Sequence, residues 1–349
     1  MKSKKNGQIK RKITIKDISK ETGLSIATIS RVINNVNKHY SVKTEKIVRE
    51  AVKRLNYTPD IIAYGLKKNK TYTIGFIVPE LDSYYSEIFL GAQHVALKYG
   101  YANFLCNVNY NRKLERMYVG NLLARRVDGV VIATGLLDNK AIKRFTDEGI
   151  KVALIESKLK IKDTVLITID SYKYSKMAVN HLIKNNYKKI AFISAPLEEM
   201  SNLNERFLGY MDALKENNLK FDRSLVFINK IIRGEWDLTS SGDFIENIMK
   251  EKNHPDALFI ISDSIAMVAM QICKKLGFRI PEDVGVVGFD DRRFCKYLDP
   301  PLTSIYQPKY EMGYKGTEML IKIIEGEELL SNTVHLDMKL SIRRSSLRS

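Results

Sequence analysis

A chain of 349 residues, 44% of them hydrophobic, is long enough to form more than one globular domain. Its formal net charge of +17 indicates an acidic partner, and nucleic acid or an anionic membrane are the usual candidates. No run of about 18 apolar residues is present, which excludes a membrane-spanning protein. The basic start of the chain is followed by no apolar stretch, so we expect no signal peptide.

Most of the positive charge lies in the first fifth of the chain. Residues 1–70 hold 18 Lys and Arg against 5 Asp and Glu, a net charge of +13, which leaves +4 for residues 71–349. A basic head on a nearly neutral body is typical of a DNA-binding module attached to another domain. Residues 1–11 lack apolar periodicity and are interpreted as a disordered basic tail.

The cysteines Cys106, Cys273 and Cys295 are few and far apart, which fits a protein of the reducing cytoplasm. The histidines are scattered along the chain, so we expect neither a metal site nor a cofactor. An enzyme is disfavoured because there is no phosphate-cradling glycine loop and no His or Cys beside a plausible nucleophile. Glu198 and Glu199 lie in a polar loop, where solvated carboxylates are expected.

Residues 12–58 predict three short helices that form a helix-turn-helix domain. Thr14 and Ser25 are suitable N-caps for the first two helices, and Gly23 permits the left-handed turn between them. The predicted helices are Ile15–Glu21, Ile26–Asn34 and about Val42–Leu55. The second helix of such a unit lies in the major groove of DNA.

From Thr71 onward, buried strands alternate with amphipathic helices, which predicts parallel sheets covered on both faces. The predicted strands are Thr73–Val78, Ala102–Asn107, Gly129–Ala133, Val152–Ile155, Leu166–Ile169, Lys189–Ile193, Ala257–Ile261 and Val284–Gly288. The fold class is therefore an all-α head and a two-lobed α/β body, joined by a hinge helix and linker at residues 59–70. A ligand is expected between the lobes, at the carboxyl ends of the strands.

Motifs along the whole chain carry a specific resemblance. TIKDISKETGLSIATISRVINN and KRLNYTPDIIAYGL in the head, and TIGFIVPELDSYYSEIFLGAQ and PEDVGVVGFDD in the body, resemble the lactose-repressor (LacI) family. The resemblance implies a periplasmic-binding-protein-like body at residues 71–349. It places lobe 1 at about residues 71–170 and 301–330, and lobe 2 at about 171–300 and 331–349.

The resemblance also implies a function: a homodimeric repressor of transcription on double-stranded operator DNA. A sugar or sugar phosphate bound between the lobes would control its operator affinity. The end of the chain, SIRRSSLRS, has no leucine heptads, so we expect no coiled coil that forms tetramers. A plain solute-binding protein would explain the body but not the basic head.

In the recognition helix, the resemblance implies that Ile26 and Ala27 read base edges by apolar contact and that Arg31 reads a base further along. The remaining predicted DNA-binding residues of the head are Thr14, Ser25, Thr28, Ser30, Asn34, Thr44 and Tyr57. Short hydroxyl and amide donors among them suit phosphate oxygens, although Ser25 could serve only as a helix cap. Glu45 departs from the family because a basic residue is usual at this position.

The hinge at residues 59–70 would form a helix only when two copies pack together on DNA, since so short a helix is marginal alone. The resemblance implies that Leu66 wedges into a minor-groove base step and that Ala63 also contacts the DNA. A buried linker residue is the alternative for Leu66. Asp60 and Tyr64 depart from the residues that are usual in the family.

The resemblance implies that six residues of the body bind the effector. They are Tyr84, Tyr85, Arg206, Trp236, Asp263 and Asp290. The alternatives are packing between the lobes for the two tyrosines, a plain salt bridge for Arg206 and a helix cap for Asp263.

Some segments, including PLEE at residues 196–199, resemble the catabolite control protein branch of the family. Members of that branch take a serine-phosphorylated carrier protein as corepressor. Glu318 lies where that branch has the arginine that meets the phosphate. A carboxylate there would repel a phosphoserine, which favours a small ligand and leaves the carrier protein as the alternative.

Overall fold

The computed structural model describes residues 13–34, 40–58, 65, 70–133, 139–157, 159, 161–194, 201–228, 231–232, 235–236 and 238–348. The chain divides into two units, Met1–Thr71 and Tyr72–Ser349. We call the first unit the head and the second the body. None of the helices within the described ranges is both long and apolar enough to cross a membrane.

The head contains the three predicted helices, α1 (Ile15–Thr22), α2 (Ile26–Ile33) and α3 (Val42–Arg54). Gly23 ends α1 in the left-handed region at φ 69°, which only a residue without a Cβ adopts at no steric cost. One buried apolar cluster joins all three helices. Its members are Ile18, Ile29, Val32, Val48 and Ala51.

The first lobe of the body is built on a sheet of six parallel strands. These are β1 (Thr73–Val78), β2 (Ala102–Asn107), β3 (Gly129–Ile132), β4 (Lys151–Ile155), β5 (Thr164–Thr168) and β13 (Thr333–His335). They lie in the order β13-β5-β4-β3-β1-β2. The helices of this lobe are α4 (Ser83–Lys98), α5 (Arg112–Ala124), α6 (Asn139–Asp147) and α11 (Lys309–Ile324).

The second lobe is built on another six-stranded sheet, in the order β14-β12-β11-β10-β6-β7. The strands are β6 (Ile190–Ser194), β7 (Val226–Ile228), β10 (Ala257–Ile260), β11 (Gly285–Asp290), β12 (Thr303–Tyr306) and β14 (Lys339–Ser341), and β8 (Ile231–Ile232) and β9 (Glu235–Trp236) form a separate pair. The helices are α7 (Ser171–Lys184), α8 (Ser201–Glu216), α9 (Leu238–Lys250) and α10 (Asp263–Lys275). The edge strand β14 is antiparallel to β12, whereas only parallel strands were predicted.

The chain crosses between the lobes at positions that differ from two of the predicted boundaries. Residues 303–306, predicted in lobe 1, form β12 in the second sheet, and residues 333–335, predicted in lobe 2, form β13 in the first. The reason is backbone pairing: β12 hydrogen-bonds along β11, and β13 hydrogen-bonds along β5. The last two crossings therefore lie between β12 and α11 and between β13 and β14.

Close packing of α4 against α11 fixes the start of α4 in the first lobe. A Cβ on Gly91 of α4 would collide with the carbonyl oxygen of Tyr310, and a Cβ on Gly313 of α11 would collide with that of Ile88. Glycine at both positions lets the two helix backbones approach directly. This contact holds the first turn of α4, which carries Tyr84 and Tyr85, at the carboxyl end of β1.

Candidate functional site

In the head, α2 separates a buried face from an exposed one. Ile29 and Val32 are fully buried in the head core. Ile26 is 42% exposed, and Ala27 and Arg31 are also exposed. The side chains that the sequence assigns to base recognition are therefore those that α2 leaves free for a groove.

The short polar residues of α1 and α2 are engaged with their own helices. Ser25 accepts the Thr28 amide at 3.2 Å, and the two hydroxyls lie 2.9 Å apart. The Asn34 amide donates to the Ser30 carbonyl at 2.8 Å and to its hydroxyl at 3.3 Å. Thr14 donates its backbone N–H and its hydroxyl to Asp17, at 2.8 and 2.7 Å. Ser25 is thus the N-cap of α2, as predicted.

The third helix carries the predicted phosphate contact Thr44 and the departure Glu45. Thr44 donates its amide to the Ser41 hydroxyl at 3.1 Å, so Ser41 caps α3. Glu45 forms an ion pair with Arg49 at 2.7 Å, so its negative charge is neutralised by a residue one helix turn away. Tyr57 is half-buried and packs against the head core.

Three of the predicted site residues cannot be placed by their side chains. Ala63 and Leu66 lie outside the described residues, as do Asp60 and Tyr64 of the same segment. Trp236 belongs to β9, but its side chain lies outside the described part of the structure.

In the body, a cavity of about 230 Å³ lies between the two lobes. The first lobe lines it from the carboxyl ends of β1 and β4, and the second lobe from α8 and the carboxyl ends of β10 and β11. Its lining includes Glu80, Asp82, Tyr84, Tyr85, Tyr110, Glu156, Asn202, Arg206, Ser262, Asp290 and Arg292. We call this cavity the cleft.

Four of the predicted effector residues line the cleft: Tyr84, Tyr85, Arg206 and Asp290. Tyr84 is buried, and its hydroxyl lies 2.7 Å from Glu156 and 3.0 Å from Oε1 of Gln307. Gln307 donates its amide to Asp290 at 2.7 Å. Tyr84 is therefore connected by hydrogen bonds to a carboxylate of each lobe.

Arg206 of α8 is 4% exposed, and its guanidinium lies over the Phe289 ring at 3.7 Å from the ring centre. It faces Glu156 of the first lobe at 4.0 Å and donates to the Ile261 carbonyl at 3.4 Å. Its Nε has no hydrogen-bond partner within the described ranges. A buried donor that lines a cavity and has no protein partner is suited to an acceptor oxygen of a ligand.

Asp290 ends β11 with φ 110°, and Glu156 directly follows β4 with φ 55°. Such backbone conformations are strained for residues with a side chain and are found preferentially at binding sites. Burial raises the pKa of both carboxyls, while Arg292 beside Asp290 and Arg206 beside Glu156 act in the opposite direction. Burial, and then the charge of Asp82, also raise the pKa of Glu80 to about 7.

The structure does not place Asp263 in the cleft. Its carboxylate is fully buried and accepts the Ser304 hydroxyl at 2.6 Å and the Arg292 amide at 2.8 Å. These bonds occupy both of its oxygens, and burial followed by the charge of Asp290 raises its pKa to about 7. Asp263 supports the loop after β11, and its neighbour Ser262 lines the cleft instead.

Several polar residues of the cleft were not predicted, among them Glu80, Asp82, Glu156, Asn202 and Arg292. All but Asn202 lie within four residues of the carboxyl end of a strand in a parallel sheet. The rule that ligands bind at the carboxyl ends of such strands would have found them.

Comparison with known proteins agrees with both units. The model "Bacterial regulatory proteins, lacI family" matches residues 14–60, and "Periplasmic binding proteins and sugar binding domain of LacI family" matches residues 71–343. The chain is 31% identical to catabolite control protein A of Priestia megaterium, over 96% of this chain and 99% of the relative. It is 36% identical to the transcriptional regulator RegA of Clostridium acetobutylicum, over 90% of this chain and 93% of the relative.

A solved structure, the complex of the transcriptional regulator CelR with cellobiose, superposes with a TM-score of 0.70 at 26% identity. The match covers 96% of this chain and 100% of that one. The head, the two-lobed body and these relatives agree in describing a DNA-binding transcriptional regulator with a ligand-binding body. The chain belongs to the LacI family of bacterial regulatory proteins.

Proposed function

We propose that the chain is a repressor that binds a pseudo-palindromic operator as a homodimer, one head to each half-site. The exposed face of α2 supports this proposal, because Ile26, Ala27 and Arg31 point away from the head core. The charge of +13 in residues 1–70 supplies nonspecific affinity for phosphates. In this proposal, Ala63 and Leu66 contact the minor groove.

Specificity is tested with operators selected from a randomised DNA library by the full-length chain. Arg31→Ala should reduce the free energy of discrimination by about 1–3 kcal/mol at one base position and leave discrimination at the other positions unchanged. Lys53→Ala is the matched control, since it removes an exposed positive charge at the far end of α3. Equal losses across all sequences in the Arg31 variant would show a phosphate contact instead of base recognition.

We further propose that the cleft takes an uncharged, hydroxyl-rich ligand such as a sugar, which changes operator affinity. Among the described residues, four carboxyls and two arginines line the cleft, and both guanidinium groups already face carboxylates. A phosphate would meet these carboxyls without a free cation to balance it. Hydroxyl groups can donate to carboxylates and accept from Arg206, while the tyrosine rings suit the apolar face of a sugar.

A thermal-shift screen tests the ligand class with pairs, each an unphosphorylated mono- or disaccharide and its phosphate ester. At a concentration of 100 Kd, a ligand that binds only the folded chain adds about 2.7 kcal/mol to its stability. We expect a rise in Tm with the sugar of a pair, and a smaller rise in the Arg206→Lys variant. A rise with a phosphate ester alone would contradict this assignment.

The alternative is control by a phosphorylated carrier protein, and the likeness to catabolite control protein A favours testing it. Glu318 on α11 lies 3.6 Å from Lys315, and its side chain is 18% exposed. A carboxylate at this position disfavours a phosphoserine. Calorimetry with the phosphorylated carrier belongs in the same screen, and micromolar binding would establish the alternative.

A further inference from the structure

Arg292 lines the cleft and connects the two lobes. It follows β11 of the second lobe, and its side chain is 13% exposed. Its guanidinium forms an ion pair with Asp82 of the first lobe at 2.6 Å and donates to the Ser83 hydroxyl at 3.3 Å. It also pairs with Asp290 of its own lobe at 3.3 Å. One side chain is therefore bound to charged groups of both lobes.

Asp82 uses its two oxygens for two separate purposes. Oδ1 accepts the amides of Tyr84 and Tyr85, at 2.9 and 3.0 Å, and so caps α4. Oδ2 is the atom that pairs with Arg292. The contact between the lobes is thus attached to the helix end that presents the two cleft tyrosines.

The base of Arg292 is fixed on the second lobe. Its backbone N–H donates to the buried Asp263 at 2.8 Å, and Ser304 of the neighbouring strand holds the other oxygen of that carboxylate. Because its backbone is held in this way, Arg292 cannot follow the first lobe if the lobes separate. Opening of the cleft beyond the reach of this side chain therefore requires the pair between Asp82 and Arg292 to break.

We propose that Arg292 is an interlobe clamp, which holds the body closed when no ligand is bound. The effector then acts on lobes that are already together, instead of drawing separated lobes closed. This last consequence rests on the proposed ligand role of the cleft, whereas the clamp itself requires neither DNA nor effector. A partly buried, doubly paired guanidinium gains more from its partners than an exposed one, because water screens the pair less.

The experiment measures cleft opening by alkylation of an introduced thiol, in the full-length chain without ligand or DNA. Ser262→Cys places the thiol at a cleft-lining position that is 5% exposed. It reacts with iodoacetamide in proportion to the open fraction, and mass spectrometry resolves each cysteine. The native Cys273 is fully buried and reports any general unfolding.

The thiol is introduced into four further backgrounds: Arg292→Gln, Asp82→Asn, the combination of the two, and Arg293→Gln. Asp82→Asn removes the charge and retains a side chain that caps helices equally well. Because it is nearly isosteric, it cannot expose the thiol by loss of bulk. Arg293→Gln is the matched control, since it removes the same charge from the adjacent, exposed position.

We expect each clamp variant to raise the alkylation rate of the introduced thiol roughly tenfold or more, with Cys273 unchanged. The combined variant should react no faster than the faster single variant, because both remove one interaction. A rate in Arg292→Gln equal to that in Arg293→Gln, or effects that multiply in the combined variant, would overturn the clamp. Failure to bind sugars or operator DNA would instead count against the proposed function and leave this result intact.

Discussion

Glu80 illustrates how burial sets the protonation of a single cleft carboxyl. It lies two residues beyond the end of β1, and the Tyr110 hydroxyl donates to it at 3.0 Å. Burial is the largest influence on its pKa and the charge of Asp82 the next, and together they raise it from 4.5 to about 7. The folded chain therefore holds this proton more tightly than the unfolded chain does.

The direction of the resulting pH dependence follows by linkage. The stability that the protonated Glu80 contributes is complete below pH 4.5, and it is lost as pH rises through about 7. Relative to Glu80→Gln, we expect the wild type to lose up to about 3 kcal/mol of unfolding free energy over this window. Urea denaturation at several pH values measures the difference, with the exposed Glu327→Gln as control. A difference that stays constant with pH would show that Glu80 titrates normally.

At the scale of elements, the sequence predicted best those strands and helix ends whose signal lies within a few neighbouring residues. The eight predicted strands all exist, and seven of them are largely apolar runs that a two-sided sheet buries, whereas the edge strand β2 is largely exposed. The caps Thr14 and Ser25 and the turn at Gly23 locate the head helices to within a residue or two. These signals need no knowledge of distant contacts.

The elements that were missed depend on remote partners. β7, β13 and β14 have three residues each, too few for a period to show, and they exist because a distant strand pairs with them. Pairing with a distant strand also explains why two lobe crossings were misplaced. Residues 303–306 belong to the second sheet because they pair with β11.

Long-range pairing also limited the prediction of the cleft. A resemblance identifies residues that match a family position, which is how Tyr84, Arg206 and Asp290 were found. The pair between Asp82 and Arg292 joins residues 210 positions apart. No local pattern encodes such a contact, so only the folded structure brings the two charges together.

At the scale of the whole molecule, the proposed dimer requires a surface that two copies can share. Within the described residues, α4 and the neighbouring edge strand β2 expose several large apolar side chains. Leu97 is 67% exposed, Leu90 and Leu105 are each 37% exposed, and Phe104 is 38% exposed. Large apolar side chains exposed on an edge strand and on the helix that contacts it are typical of an interface between proteins. Leu90 and Leu97 lie seven residues apart, and so on the same face of α4.

A charge on this face should separate the dimer and weaken operator binding together. Burial of a leucine side chain contributes about 1.5–3 kcal/mol, and a symmetric interface loses it in both copies. Leu97→Glu should therefore raise the dimer Kd at least tenfold, as sedimentation velocity would show. Operator affinity should fall with it, because a lone head reaches only one half-site. Leu330→Glu is the control, since that leucine is fully exposed on the connection between α11 and β13. A Leu97 variant that sediments like this control would place the interface on another surface.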